Sequence, residues 1–223
     1  LDIYYQRNLK NKQFLAFNAV GTYMRTTRQS QYKEFLNNEP IVDYSSSVKG
    51  KKYSLIAEGI YEKSFANGGR LNTGIKHTQS YTNNLYDGTL FYHTQMRQAV
   101  SYGYVQYNGR WQKLRYGFGV GATRSWFHQD GQKEYEKWSF NPRINLSYTF
   151  DKHWSTSLQG NANSYNPSLS NISAADQLVD SLQIKRGNPD LDTYVQYALR
   201  SRLNFNKGKV HVGFSNNYSY YDR

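Results

Sequence analysis

Residues 138–150 read Trp138-Ser139-Phe140-Asn141-Pro142-Arg143-Ile144-Asn145-Leu146-Ser147-Tyr148-Thr149-Phe150. The even positions are apolar or aromatic except at Pro142, and the odd positions inside the stretch, Ser139 to Thr149, are polar. A period of two belongs to a strand with two unlike faces. The stretch is far longer than the usual soluble strand of about 5–6 residues. At roughly 3.3 Å per residue it spans about 40 Å, or about 28 Å of height when tilted near 45°. Aromatic rings stand at both ends and an apolar face joins them, which is the form of a membrane-spanning barrel strand. The pattern therefore predicts Trp138, Phe140, Ile144, Leu146, Tyr148, Phe150 and the nearby Trp154 on a lipid face with its girdles.

Working outward, the rest of the chain repeats this design. Five short turn signals recur at 8–13, 66–70, 108–113, 151–153 and 206–209. About ten strands lie between them: 1–7, 14–29, 52–65, 71–83, 95–107, 114–128, 138–150, 154–165, 191–205 and 210–221. Their other ends are joined by longer, more polar connections: a loop holding Asn37-Asn38-Glu39-Pro40, one opened by Asp87-Gly88, and one around Asp130-Gly131. Short turns on one side and long loops on the other are the asymmetry of outer-membrane barrels. Trp154, Thr156, Leu158, Gly160 and Ala162 share one phase of their strand, opposite Ser155, Gln159 and Asn161. Leu199, Leu203 and Phe205 likewise oppose Arg200, Arg202 and Asn204. Arg124 interrupts the apolar phase of 114–128 near one end, and 95–107 carries Tyr in both phases, so its faces stay unassigned. The longest connection, 166–190, includes a stretch from Ser173 that suits one helical turn capped by Ser173.

Composition bounds the function. The 223 residues read as one β-barrel region, 1–223, with no Cys and hence no disulfide framework, zinc-thiolate site or thiol nucleophile. Mean hydropathy is negative and no run reaches the 18 apolar residues of a membrane helix. Yet 17% of residues are aromatic, 22 of them Tyr, which argues against disorder and fits a barrel in which alternate residues meet lipid. The net charge of +12 is scattered rather than concentrated on one helix or segment, which favours basic residues facing a lumen or an anionic lipid surface over nucleic-acid binding. The chain starts at Leu1 with no signal peptide, which implies a processed chain or an excised segment.

Few residues suit covalent chemistry. Gly117, Gly119 and Gly121 alternate in a strand with no strand-to-helix switch, so they read as a luminal face kept small or a kink where the sheet curves, not as a phosphate loop. The five His stand at no metal-ligand spacing. Glu58 and Glu62 share one strand phase and read as luminal charge. The sequence points to no enzyme and no cofactor. Should the chain be a barrel hydrolase, His93, His128, Asp87 and Asp130 at the loop rim are its candidates.

The exit of the long loop, Arg186-Gly187-Asn188-Pro189-Asp190-Leu191, runs straight into a strand. Gly187 permits positive φ, Pro189 stiffens the chain and Asn188 can close a local turn. The same Gly-Asn-Pro-x-Leu stretch (Gly187, Asn188, Pro189, Leu191) resembles a landmark of TonB-dependent outer-membrane receptors, in particular the Bacteroidetes-type barrel family. Tyr165-Asn166-Pro167-Ser168-Leu169 is similar to that family's strand exit, and the alternating Tyr/Asn-rich hairpins match it over nearly the whole chain. Thr193-Tyr194 depart from the pair that often follows the landmark. The resemblance implies a bacterial outer-membrane barrel of about 22 strands plugged by a separate N-terminal domain, of which this chain is an internal portion. It further implies uptake of a scarce nutrient, a TonB-type energy-coupling protein and a surface lipoprotein partner. Arg143, Asn145, Gln159, Asn161, Arg200 and Arg202 would then line the lumen and contact plug or ligand, and 130–137 and 166–190 would face outside. Two alternatives stand beside this: a free-standing ten-stranded outer-membrane barrel (pore or enzyme), supported if first and last strands pair, and a soluble carbohydrate-binding β-sandwich.

Overall fold

The computed structural model describes residues 1–88, 91–172, 177–178, 183–188 and 190–222. Its strands are β1 (Asp2–Leu9), β2 (Gln13–Leu36), β3 (Glu39–Ser64), β4 (Arg70–Gly88), β5 (Tyr92–Trp111), β6 (Leu114–Gln129), β7 (Tyr135–Thr149) and β8 (Trp154–Tyr165). There follow one helical turn, α1 (Leu169–Ile172), two short strands β9 (Gln177–Leu178) and β10 (Ile184–Lys185), and then β11 (Tyr194–Lys207) and β12 (Val210–Asp222). Ten strands form one antiparallel sheet in chain order, β1 to β8 and then β11 and β12, while β9 and β10 pair only with each other. Among the described residues β1 and β12 do not pair and stand as the two edges, so this sheet does not close on itself as a ten-stranded barrel would. Among the described residues the other sheet is the two-stranded β9–β10 pair, too small to be the second layer of a β-sandwich, which removes that alternative.

The burial pattern is inverted relative to a water-soluble protein. On β7, Trp138 and Phe140 are 65% and 62% exposed, whereas Ser139 and Asn141 are each 8% exposed. A water-soluble sheet buries its apolar phase against another layer. Here the polar phase lies on the enclosed, concave side and the rings point out. Register carries this phase from strand to strand: inward residues are even-numbered on β1–β5, odd on β6–β8, even on β11 and odd on β12. It resolves the ambiguous 95–107 segment, because Tyr102 faces Thr123 and Tyr104 faces Gly121, both on the inward phase of β6.

The outer rings form two rows. Tyr23, Tyr53 and Tyr81 lie in register across three strands, with centroids 4.9 and 6.2 Å apart, and Arg97 continues the row over the Tyr81 ring. At the turn end, Phe65 meets Tyr107, Tyr107 meets Tyr116, Tyr148 meets Phe150, and Trp154 meets Phe205. Twelve residues separate Tyr53 from Phe65, as they do Trp138 from Phe150. That places the rows about 28 Å apart in height at a 45° tilt, close to the apolar band of a bilayer-spanning barrel.

Three expectations need correction. Residues 30–51 are no loop: β2 and β3 continue to a two-residue turn at Asn37-Asn38, both at positive φ (52° and 66°), with one register shift at Glu34/Phe35. Positive φ at both central residues is the type I′ geometry that suits the twist of a hairpin, and Asn tolerates it. The segment hid because Thr, Ser, Gln and charged residues occupy both of its phases, so no apolar stripe marks it. Residues 135–137 belong to β7 rather than to the preceding loop. Finally, a helical turn that the sequence did not signal lies at Leu169–Ile172; the one expected from Ser173 falls outside the described residues, except that Gln177–Leu178 form β9, and Pro189 lies outside them as well.

Candidate functional site: the inward wall and its mouth

The inward wall is built row by row from strand register. Arg143 faces Asn161; Asn145 faces Gln159, which faces Arg200; Ser147 faces Ser157, which faces Arg202. The structure thus puts Arg143, Asn145, Gln159, Asn161, Arg200 and Arg202 on one contiguous inward patch over β7, β8 and β11. Arg200 Nε donates to Asn217 Oδ1 of β12 at 2.7 Å. Across the sheet Glu58 faces Lys76 in the same inward phase, and Glu62 faces Asn72. The opposite phase carries Trp138, Phe140, Ile144, Leu146, Tyr148 and Trp154 outward, with Phe150 at the turn just beyond β7.

Sequence reasoning missed a second feature of this wall. At the turn end, Arg70, Arg110 and Arg115 line a hollow of about 780 Å³ with Asn72, Asn108, Asn145, Ser147 and Gln159. Arg110 and Arg115 sit directly opposite each other, a like-charge juxtaposition that a sheet tolerates poorly. Among the described residues no carboxylate lines the hollow. The signal was present: Gly117, Gly119 and Gly121 mark the inward phase of β6, and counting from them through the turn would have placed Arg115 and Arg110. The glycines keep the wall flat. A Cβ on Gly121 would lie 2.6 Å from the Tyr102 ring and one on Gly74 2.6 Å from the Tyr104 ring, so each tyrosine lies across its neighbour's backbone.

At the other end the long connection folds against the inward face. Ile172 of α1 packs with Met96 and Phe127, and Tyr135 joins them. This is the one apolar core cluster among the described residues, and it sits on the otherwise polar side. The landmark segment is tied to α1: Asn188 N donates to Asn171 O (2.7 Å), and Asn188 Oδ1 accepts from Asp190 N (3.0 Å), closing the expected local turn. Among described glycines, positive φ occurs at Gly68, Gly131 and Gly208 and not at Gly187. Thr193, 0% exposed, locks the loop's return. Its Oγ1 donates to Asn166 Oδ1 (2.7 Å) and its N donates to Tyr135 Oη (3.1 Å). Tyr135 Oη donates to Asp192, and Lys137 Nζ donates to Asp192 Oδ2 (2.9 Å) and Thr193 O (2.6 Å). Burial alone would raise the Asp192 carboxyl, but these bonds from Tyr135 and Lys137 outweigh it and hold it below the ordinary 3.8.

Pro142 explains where the lock sits. It has no N–H to give, and the β7–β8 ladder ends at Arg143–Asn161. Asn141 Nδ2 donates instead to Ala162 O (3.3 Å) and Ser164 Oγ (3.0 Å), so the two strands part above Pro142. Beside the gap Tyr165 stacks on Tyr194 at 5.2 Å, and Tyr221 lies tilted against Tyr194 at 6.0 Å. The rim candidates for hydrolysis do not converge: His128 approaches Asp130 at 3.7 Å, His93 bonds Asn83, and His93, His128 and Asp87 lie in the outward phase.

The profile of the outer membrane protein beta-barrel family matches residues 6–223. The chain belongs to that family. As a member of the outer membrane protein beta-barrel family it resides in the bacterial outer membrane, and lipid is the medium that its outward rings meet. No curated protein matches it significantly. Among solved structures it is similar to two variants of the ferric enterobactin receptor PfeA from Pseudomonas aeruginosa. Both alignments are at 8% identity, with TM-scores of 0.41 and 0.38, and cover 95% of this chain. The family member spans 43% of the length of each of those receptor chains.

Proposed function

We propose that this sheet is part of the barrel wall of a TonB-dependent receptor that imports a scarce nutrient, most akin to the Bacteroidetes-type barrels. The observation that carries the reading is the open, polar and basic concave wall. Its edges are unpaired, its turn-end hollow is lined by three arginines and, among the described residues, by no carboxylate, and a folded loop leans over its mouth. A wall of this kind suits a large barrel filled by another element, and the arginine hollow suits the acidic surface of a plug entering from the turn side. The inward patch from Arg143 to Arg202 would contact that plug or the cargo, and the loop 166–193 and the β2–β3 hairpin would shape access from outside. A surface lipoprotein would dock over those outer segments. No residue of the chain is assigned covalent chemistry.

The test is genetic. Cells are grown on panels in which one nutrient at a time (a glycan, siderophore-bound iron, a cobalamin, a peptide) is limiting. Loss of the receptor and loss of the TonB-type coupling protein should abolish the same uptake. Uptake through this protein that survives loss of the coupler would overturn the importer reading while leaving the barrel intact.

A further inference from the structure

The outward phase of β2–β5 carries a second pattern that the importer reading does not use. Directly above the tyrosine row, on the side of the loops, Arg25 stands opposite Lys51 and Lys49 follows one outward position on. Arg97 closes the tyrosine row from β5, and His93 lies two outward positions beyond it. All five are exposed, and among the described residues no carboxylate pairs with Arg25, Lys49, Lys51 or Arg97. The nearest acid of this phase, Asp87, lies further out, beyond Leu85.

Position makes this unusual. Arg25 and Lys51 lie two residues past the ring row, about 5 Å higher at a 45° tilt, which is headgroup level if the rings mark the interface. Like charges directly opposite on a sheet are destabilising, and an anion held between Arg25 and Lys51 relieves that repulsion. The chain shows the other solution elsewhere on the same rim. Arg124 also points outward above the apolar band, and it is met by Glu136 through Nε (2.8 Å) and Nη2 (3.1 Å). Arg25, Lys49 and Lys51 have no such partner from the wall.

We propose that Arg25, Lys49, Lys51 and Arg97 form a binding site for the phosphate groups of an anionic glycolipid of the outer leaflet. The tyrosines Tyr23, Tyr53 and Tyr81 carry the sugar–acyl junction beneath it. Lys and Arg near a membrane surface each strengthen anionic-lipid binding by about fivefold, so three of them amount to about a hundredfold.

The full-length protein, purified in a zwitterionic detergent, tests this by native mass spectrometry against three probes. These are a diphosphorylated disaccharide lipid, the same lipid with its phosphates removed, and inorganic phosphate. The wild type should retain the diphosphorylated lipid and release the dephosphorylated one. The combined variant R25Q/K49Q/K51Q should lose about a hundredfold in apparent affinity. A second variant, K10Q/K152Q/K209Q in the turns at the opposite end of the sheet, should retain the lipid unchanged. Equal retention with and without phosphates would overturn the site, as would unchanged affinity in R25Q/K49Q/K51Q. So would inorganic phosphate displacing the lipid at equal concentration, since that would mark a free-anion site. The single variants R25Q and K51Q, each expected to lose about fivefold, supply the reading if the triple variant fails to fold.

Discussion

Replacing Ile144 by Arg puts the lipid assignment at greatest risk. Ile144 lies six residues from Trp138 and six from Phe150, so it sits about 14 Å in height from either ring row, at the middle of the band. Its cross-strand neighbours are Phe118 and Gly160, and neither offers a counter-charge. A cation at the midplane of such a barrel costs about 2–4 kcal/mol, falling to about 0–1 kcal/mol at the interface. Phe150→Arg therefore costs about 0–1 kcal/mol for depth, plus about 0.5–1.5 kcal/mol for the lost edge-on contact with Tyr148 at 4.9 Å. Asn145→Glu, one residue from Ile144, turns into the water-facing hollow that Arg115 lines and should stay within about 0.5 kcal/mol of wild type. Urea titration of the full-length protein refolded into lipid vesicles, followed by heat-modifiable electrophoretic mobility, measures all three. The order Ile144→Arg, then Phe150→Arg, then Asn145→Glu is a depth profile that only a bilayer imposes. If Phe150→Arg and Ile144→Arg prove equally damaging, or Ile144→Arg proves as mild as Asn145→Glu, the outward rings are buried in protein and the reasoning fails.

Asn141→Ala removes the donor that serves the Ala162 carbonyl beside Pro142 and should cost about 1–2 kcal/mol, read in the same titration; Asn141→Ser, which keeps a shorter donor, should cost less. Asn38→Gly should slightly stabilise the β2–β3 hairpin because Asn-Gly is the favoured type I′ pair and glycine accepts the φ of 66° without strain, while Asn38→Val should destabilise it, both seen as hydrogen-exchange protection of 29–47. Asp192 has a lowered folded carboxyl, so its lock contributes stability above the ordinary 3.8 and loses it as pH falls through the lower folded value. Protease nicking of the 166–193 loop should therefore stay flat from pH 7 to 5 and rise below about pH 4, and Asp192→Asn should abolish that rise.

Period two was legible wherever one phase is apolar, and the strands that carry it, 114–128, 138–150 and 154–165, nearly coincide with β6, β7 and β8. The turns were legible because Asn, Gly, Asp and Lys cluster there; Asp151 Oδ1, for instance, accepts from His153 N (2.7 Å) and Trp154 N (2.8 Å). The outer half of β2–β3 was not legible because it has no apolar phase: beyond the ring row both its faces carry polar residues, so alternation has nothing to report. The faces of β5 were hidden for the opposite reason, since Tyr102 and Tyr104 lie inward over glycines while Tyr107 lies outward, and type alone does not separate them. The inward patch from Arg143 to Arg202 followed from phase within single strands. The arginine hollow was legible only in part: counting from Gly117 through the turn brings Arg115 and Arg110 together, but Arg70 belongs to a third strand and joins them only through register.

The unpaired edges set the last constraint. A strand in hydrocarbon must satisfy its backbone groups within the protein, and each orphan N–H or C=O costs several kcal/mol. β1 offers eight residues to the open side and β12 thirteen. Even a handful of exposed groups on each edge amounts to tens of kcal/mol, beyond the roughly 5–15 kcal/mol that stabilises a folded domain. Charged residues, prolines or bulges are how soluble sheets blunt such an edge. The membrane-height part of β12, Val212-Gly213-Phe214-Ser215-Asn216-Asn217-Tyr218, carries none of these: Val212, Phe214 and Tyr218 share the outward phase as apolar residues do on the interior strands, with Asn216 its one polar member. An edge with the chemistry of an interior strand is one built to be paired. The proposed receptor reading meets this constraint: it has the wall continue past β12 in the bilayer, so that the arginine hollow and the folded loop would line a larger lumen than these ten strands enclose.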